Sequence, residues 1–393
     1  MARFANAKAP FVRLSEEKGK DTKTIMRDFG IGLSLVVLFA WFKNGILVYV
    51  NGDCTFLEMI YPMVFILLAG IMAVVMEAIY FYLTNPEAKT MKGLKKSLST
   101  SYGFVPGVIL ALILPLYTPI WVLMFGVFMT TIVGKMLFGG FGNNIFNPAL
   151  IGNIAIMFTL YGVVLAAGGF MNPSEVVIDA YAGATPLTLF SQLRTINYDA
   201  LVAPYGSLWN FFFGTIPGTI GETSALVILI AYVWFVIRKV IKWFTPLIFI
   251  GVVFLLTWLI GIVNGEAGLW FPLYGILSGG LMYGAVFMST EPVTTPRNPL
   301  GKVFFALFLG ALTVLFRYIG VFPEGVATAI IVMNIFTMPI DKSTAMIRSS
   351  GLNKKTIVPF LMMVILLIGI MVYAVMKSRN LYTLAVLMIG GWF

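Results

Sequence analysis

The 393-residue sequence has no histidine and a single cysteine, Cys54. One thiolate cannot hold an iron–sulfur cluster within the chain, and without histidine there is no imidazole to ligate haem. Ser-His-Asp and Cys-His catalytic pairs are excluded, as are the usual zinc sites, so no metal site and no catalytic residues are expected. If this chain carries electrons, an organic cofactor has to supply the redox chemistry.

Charge is scarce as well. Only 11% of residues are Asp, Glu, Lys or Arg, against about 25% in soluble domains. Hydrophobic residues make up 60%, gathered into runs long enough to cross a bilayer core. A soluble helical protein would need polar faces that these runs lack. A transmembrane β-barrel would alternate apolar and polar residues over strands of about 10 residues. The fold class expected is an all-α polytopic membrane protein. No short apolar core with a cleavage site marks residues 1–28 as a signal peptide.

The expected spans fall at 29–50, 56–84, 102–117, 119–137, 149–169, 224–241, 244–263, 270–288, 303–321 and 323–340, with an eleventh run at 356–376. The net charge of +10 resides in short connections, the pattern of cytoplasmic loops rather than of a nucleic-acid surface. Residues 1–28, the lysines 89, 92, 95 and 96, Lys135, the Arg238–Lys242 cluster, Arg297 with Lys302, and Lys342 to Lys355 all fall on one side when the spans alternate. That side is read as cytoplasmic, which places the 170–220 loop outside. The organisation expected is a cytoplasmic segment 1–28, a bundle 29–341 and a C-terminal extension 342–393.

Four sets of residues offer chemistry. In GGFGNNIFNPALIGN, residues 139–153, Asn144 and Asn147 place amides at the mouth of a span; they suit either helix capping or hydrogen bonding to a planar heterocycle. In DAYAGATPLT, residues 179–188, small residues surround Thr185, read as an exposed hydroxyl open to modification or as a simple turn. In GTIPGTIGETSALVIL, residues 214–229, hydroxyls and glycines open a helix and suit an anion, although Glu222 opposes one; an acid-capped helix is the alternative. Finally, Glu58, Glu77, Glu291, Arg317, Glu324 and Asp341 lie in or beside spans, where ionisable groups usually face a cavity or partner. Glu291 and Asp341 offer hard oxygen ligands for Na⁺ or H⁺.

In order, GKMLFGGFGNNIFNPAL, DAYAGATPL, GTIGETS, FMSTEPV and PEGVATAIIVMN resemble the D subunit of the Rnf complex, the ion-pumping ferredoxin:NAD⁺ oxidoreductase, and its homologue, the B subunit of the Na⁺-translocating NADH:quinone oxidoreductase. The short segment before the first span and the Gly-Ala-Thr-Pro wording favour the Rnf version. The resemblance implies about ten helices in two related halves, in a bacterial cytoplasmic (inner) membrane. It implies FMN joined to Thr185 by a phosphoester, installed by a separate flavin transferase that reads Asp179, Gly183 and Ala184. Ala182 stands where the family usually has serine or threonine. Gly221, Glu222 and Thr223 would line the FMN, and a non-covalent riboflavin would bind near Asn144 and Asn147. Glu291, where the family more often has aspartate, and Asp341 would serve ion uptake. Expected partners are the other membrane subunits, the FMN-carrying G subunit, the cytoplasmic NAD- and ferredoxin-interacting subunits, and lipid. The chain would then be one subunit of a translocase, not catalytic alone. A non-redox channel and a membrane anchor are the rival readings.

Overall fold

The computed structural model describes residues 21–168, 185–319, 325–351 and 354–378. It contains helices and no strand among the described residues, and the chain is an all-α, multi-pass membrane protein. Among the described residues, seven helices are long and apolar enough to cross a membrane: Thr22–Val50, Phe56–Thr84, Ile120–Phe138, Phe244–Val263, Pro299–Tyr318, Gly325–Ile347 and Ile357–Ser378. Counted as one span, the bent pair Trp270–Leu277 with Leu281–Met288, meeting at 64°, gives an eighth. The remaining expected spans contain shorter helices: Phe104–Leu112, Pro148–Thr159 and Ala225–Ile237.

Local chemistry sets the helix starts. Thr55 and Glu58 form a reciprocal capping box ahead of Phe56–Thr84. Asn147 and Asn298 each cap a helix whose first residue is proline, and Ser224 caps Ala225–Ile237 by accepting from the Val227 N–H. The Phe56–Thr84 helix, at 29 residues, is about 44 Å long and exceeds the roughly 30 Å bilayer core.

The short helices have a common cause. At roughly 1.5 Å per residue, nine to thirteen residues do not cross the core. Non-helical backbone at membrane depth must therefore find partners inside the protein. Here the unwound segments satisfy each other: the N–H groups of Ile220 and Gly221 donate to the carbonyls of Leu114 and Leu112 at 3.1 and 2.7 Å. Gly221 is needed for that approach, because a Cβ there would sit 2.8 Å from Leu112. The Asn153 amide also donates to the Ile113 carbonyl at 3.4 Å.

Two expectations change. Lys135, counted among the cytoplasmic loop lysines, is 2% exposed and pairs with Glu77 and the Ser101 carbonyl; a buried lysine beside a carboxylate is held by that partner rather than by solvent. The helix Gly325–Ser350 runs unbroken across the 341/342 boundary, so the extension continues the bundle's last helix. Outside the bundle core, Ile357–Ser378 buries only 11% of its apolar window.

Candidate functional site

The bent span organises two groups of residues, one at its break and one at its far end. At the break, Gly279 has φ +63°, a conformation glycine adopts without strain. A Cβ on Gly279 would meet Leu187 at Cδ1, and one on Gly280 would meet the Glu222 carboxylate. The helix Pro186–Leu193 and the 219–223 segment therefore converge on adjacent residues. Tyr274 donates to the Pro186 carbonyl at 2.5 Å. Arg317, on the neighbouring helix Pro299–Tyr318, donates to the Gly275 and Ser278 carbonyls at 2.7 and 3.2 Å. These are carbonyls at the end of Trp270–Leu277, where helical partners run out. Glu222 accepts from the Thr219 hydroxyl at 2.8 Å, and Thr223 is buried.

Thr185 sits here, and it is not an exposed hydroxyl. It is 3% exposed and is the N-cap of Pro186–Leu193: its Oγ1 accepts from the Thr188 N–H at 3.2 Å and lies 2.7 Å from the Thr188 Oγ1. Proline at the following position favours this helix start, so a small-residue stretch that reads as open loop ends in a capped turn. Asp179, Gly183 and Ala184 lie outside the described residues, as does Glu324.

Past Met288, at the other end of the bent span, Asn144, Asn147 and Glu291 line one recess with Thr290, Lys135 and the aromatic rings of Phe29, Tyr102, Phe141 and Phe287. Its cavity is small, about 50 Å³, well below the ~300–1,000 Å³ range of small-molecule pockets. Asn144 donates to the Phe146 carbonyl at 3.1 Å and to Glu291 Oε1 at 3.3 Å. Thr294 donates to Glu291 Oε2 at 3.1 Å. Part of Glu291 remains accessible and lines the recess, while protein crowds its other sides. It lies beyond the end of the bent span, and burial pushes its carboxyl up to about 7, against the pull of Thr294, Asn144 and Lys135.

Asn147 does both things its position allowed. It caps Pro148–Thr159 through the Ala149 and Leu150 N–H groups, and its amide faces the Met288 carbonyl at 3.4 Å. Its own N–H donates to Asn334 Oδ1 at 3.0 Å, and the Asn334 amide reaches the Thr294 carbonyl at 3.3 Å. Asp341 is not part of this recess; its Oδ1 accepts from the Asn298 N–H at 2.8 Å. Glu58 belongs to the exposed capping box.

Sequence reasoning missed Lys135, Thr294 and Asn334 as members of the site. Asn334 carried a signal, an amide inside an apolar helical run, where polar groups need partners. Lys135 also had one, directly ahead of the glycine-rich stretch.

Between the two groups, Tyr283 and Phe287 are fully buried and stacked, with centroids 4.8 Å apart and planes inclined by 20°. Gly280 and Met288 are eight residues apart, about 12 Å of helix. A family model described as NQR2, RnfD, RnfE matches residues 6–350. The chain belongs to this family. Among its similar members, the D subunit of the proton-translocating ferredoxin:NAD(+) oxidoreductase complex of Clostridium ljungdahlii is 37% identical over 251 residues, covering 62% of this chain and 73% of that protein. The B subunit of the Na(+)-translocating NADH-quinone reductase of Chromohalobacter salexigens is 35% identical over 246 residues, covering 61% of this chain and 57% of that protein. The D subunit of an ion-translocating oxidoreductase complex of Stutzerimonas stutzeri is 32% identical over 257 residues, covering 60% and 72%. The chain thus spans less than two thirds of the quinone-reductase family member.

Proposed function

We propose that this chain is the membrane redox subunit of an ion-translocating ferredoxin:NAD⁺ oxidoreductase, with FMN esterified to Thr185 and a second flavin, riboflavin, in the Asn144–Asn147 recess. The carrying observation is that residues far apart in sequence assemble into two sites joined by one bent span. Kinship to subunits named for ion-translocating oxidoreductases supplies the reaction class.

The recess residues suit a flavin by chemistry, although the recess, at about 50 Å³, would have to widen to admit one. Aromatic rings offer faces for a planar heterocycle, and the amides of Asn144 and Asn147 offer donors and acceptors for its polar edge. Glu222, flanked by Gly221 and Thr223, approaches Gly280 while Leu187 of the Thr185 helix approaches Gly279, which brings these residues to the same break as the Thr185 helix. When bound, a flavin supplies the electron-transfer chemistry that this histidine-free chain lacks. The protein's own contribution is to hold Thr185, to exclude water with the 219–223 segment, and to present Glu291 as a group able to bind a cation. Because Thr185 is a buried cap, a flavin transferase would act when the Thr185–Thr188 contact is open. The subunit would sit in the cytoplasmic membrane with Thr185 on the outer side and the recess on the inner side, beside the other Rnf subunits, including the FMN-carrying G subunit and the NAD- and ferredoxin-interacting ones.

A second reading, the B subunit of a Na⁺-translocating NADH:quinone reductase, is favoured by the 35% identical relative. The partners that co-purify with the chain separate the two readings.

The test is a denaturing gel of the purified chain, made in cells that contain the transferase and read by flavin fluorescence beside Thr185→Val. Fluorescence surviving denaturation and absent from the variant supports the covalent site. A dark wild-type band overturns it. Non-covalent flavin released on denaturing the Thr185→Val chain reports the recess separately.

A further inference from the structure

We propose that the basic turn and helix following the Phe56–Thr84 span form a binding surface for anionic phospholipid headgroups. The surface comprises residues 84–101, with the helix Met91–Ser101 as its main element. Lys89, Lys92, Lys95 and Lys96 supply its charge, and all four are exposed.

The helix folds back along the span. It begins against the Glu87 carbonyl, where a Cβ on Gly93 would collide, and ends with the Ser101 carbonyl on Lys135, the partner of Glu77. Glu77 lies about two turns before the end of Phe56–Thr84, so Met91–Ser101 runs beside the last turns of that span. Gly93, Leu94, Ser97 and Leu98 are half-buried, while Met91, Lys92, Lys95 and Lys96 stay exposed.

The neighbouring surface identifies the ligand. On Phe56–Thr84, Val64, Leu67, Ile71, Val75, Ile79 and Leu83 recur every three or four residues and are all exposed. They make a stripe of about 28 Å, matching the roughly 30 Å bilayer core. The end of the stripe at Leu83, beside Tyr82, is then the edge of the hydrocarbon, where tyrosine is favoured. The lysines follow within a few residues, at headgroup level, and Met91, 81% exposed, continues the apolar edge. An apolar edge with a basic face is the pattern of a membrane-surface helix. Glu87 is the sole acid among residues 84–101. Its contact with Lys96 is 4.0 Å, with side chains 77% and 81% exposed, and water weakens such a pair. Four lysines against one glutamate leave a charge of +3 for phosphate oxygens. Each lysine near an anionic surface strengthens binding about fivefold.

For the test, the full chain is reconstituted with equal amounts of phosphatidylglycerol and phosphatidylcholine. It is then re-extracted in mild detergent, and its retained lipids are counted by mass spectrometry. Wild type should retain phosphatidylglycerol in excess, and the excess should shrink when salt is raised during extraction. Lys89→Gln, Lys92→Gln, Lys95→Gln and Lys96→Gln together should cut the preference at least about tenfold. Lys23→Gln, Lys242→Gln and Lys342→Gln, at exposed lysines elsewhere, should leave most of it. A wild-type chain without the preference, or a preference untouched by the fourfold variant, overturns the inference. An equal loss from the control set also overturns it, since net charge would then be the cause. Unchanged lipid retention with loss of a co-purifying subunit would assign the surface to an acidic protein partner instead.

Discussion

The backbone N–H of Asn147 donates to the side-chain oxygen of Asn334 at 3.0 Å, across 187 residues of sequence. One amide thus ties the first turn of Pro148–Thr159 to the middle of Gly325–Ser350, and its other end holds the Thr294 carbonyl beside Glu291.

Replacing Asn334 by leucine would leave the Asn147 N–H unpaired and the Thr294 carbonyl with the Thr337 hydroxyl alone. A buried donor without a partner costs about 1–3 kcal/mol. Asn334→Leu should lower thermal stability in detergent by that order, and a wild-type melting curve would show the bond to be dispensable.

The Lys135–Glu77 pair offers a sharper contrast. Breaking a buried pair from one side strands a charge and costs about 3–5 kcal/mol, while replacing both partners is often tolerated. Lys135→Met and Glu77→Gln should each reduce the yield of folded protein, and the double variant should recover most of it. Additive losses would count against a neutral buried pair.

Arg317 should not be replaceable by lysine. Its planar fork spans two carbonyls at the break of the bent span, and an ammonium on a flexible stem does not reproduce that geometry. Arg317→Lys should destabilise the chain nearly as much as Arg317→Met, measured by thermal unfolding. Full rescue by lysine would show that charge alone matters there.

Glu291 gives stability a pH dependence of defined sign. Its carboxyl lies at about 7 in the folded chain against 4.5 as the ordinary value, so the folded state holds a proton that the unfolded state has lost between those limits. Its stabilising contribution is complete below about pH 4.5 and declines as pH rises to about 7. Comparing wild type with Glu291→Gln by melting temperature from about pH 5 to about pH 8 isolates it: the glutamine variant should gain on wild type as pH rises. A constant difference across that range would contradict the shift.

Much of the site was legible because its polar residues stand out against apolar runs. Asn144, Asn147 and Glu291 could be named from sequence, since amides and carboxylates beside spans require partners. Their meeting could not, because Asn144 and Glu291 are 147 residues apart. Thr185 misled for a local reason: small neighbours signal an open loop, whereas the proline after it and the hydroxyl of Thr188 make a cap. Lys135 misled because loop lysines and buried, paired lysines look alike in a charge count.

Composition and run length alone determined that this is a helical, multi-pass membrane protein without metal-ligating histidine chemistry, because a bilayer admits few ways to satisfy backbone polar groups. Tertiary structure decided which expected crossings are full spans and which contain shorter helices, since unwound backbone persists only where another segment supplies its hydrogen bonds. It also decided which polar residues share a site. Glu222 and the Thr185 helix meet at Gly279 and Gly280, and Glu291 meets Asn144 one short helix away, because the bent span carries one cluster at its break and the other just past its end.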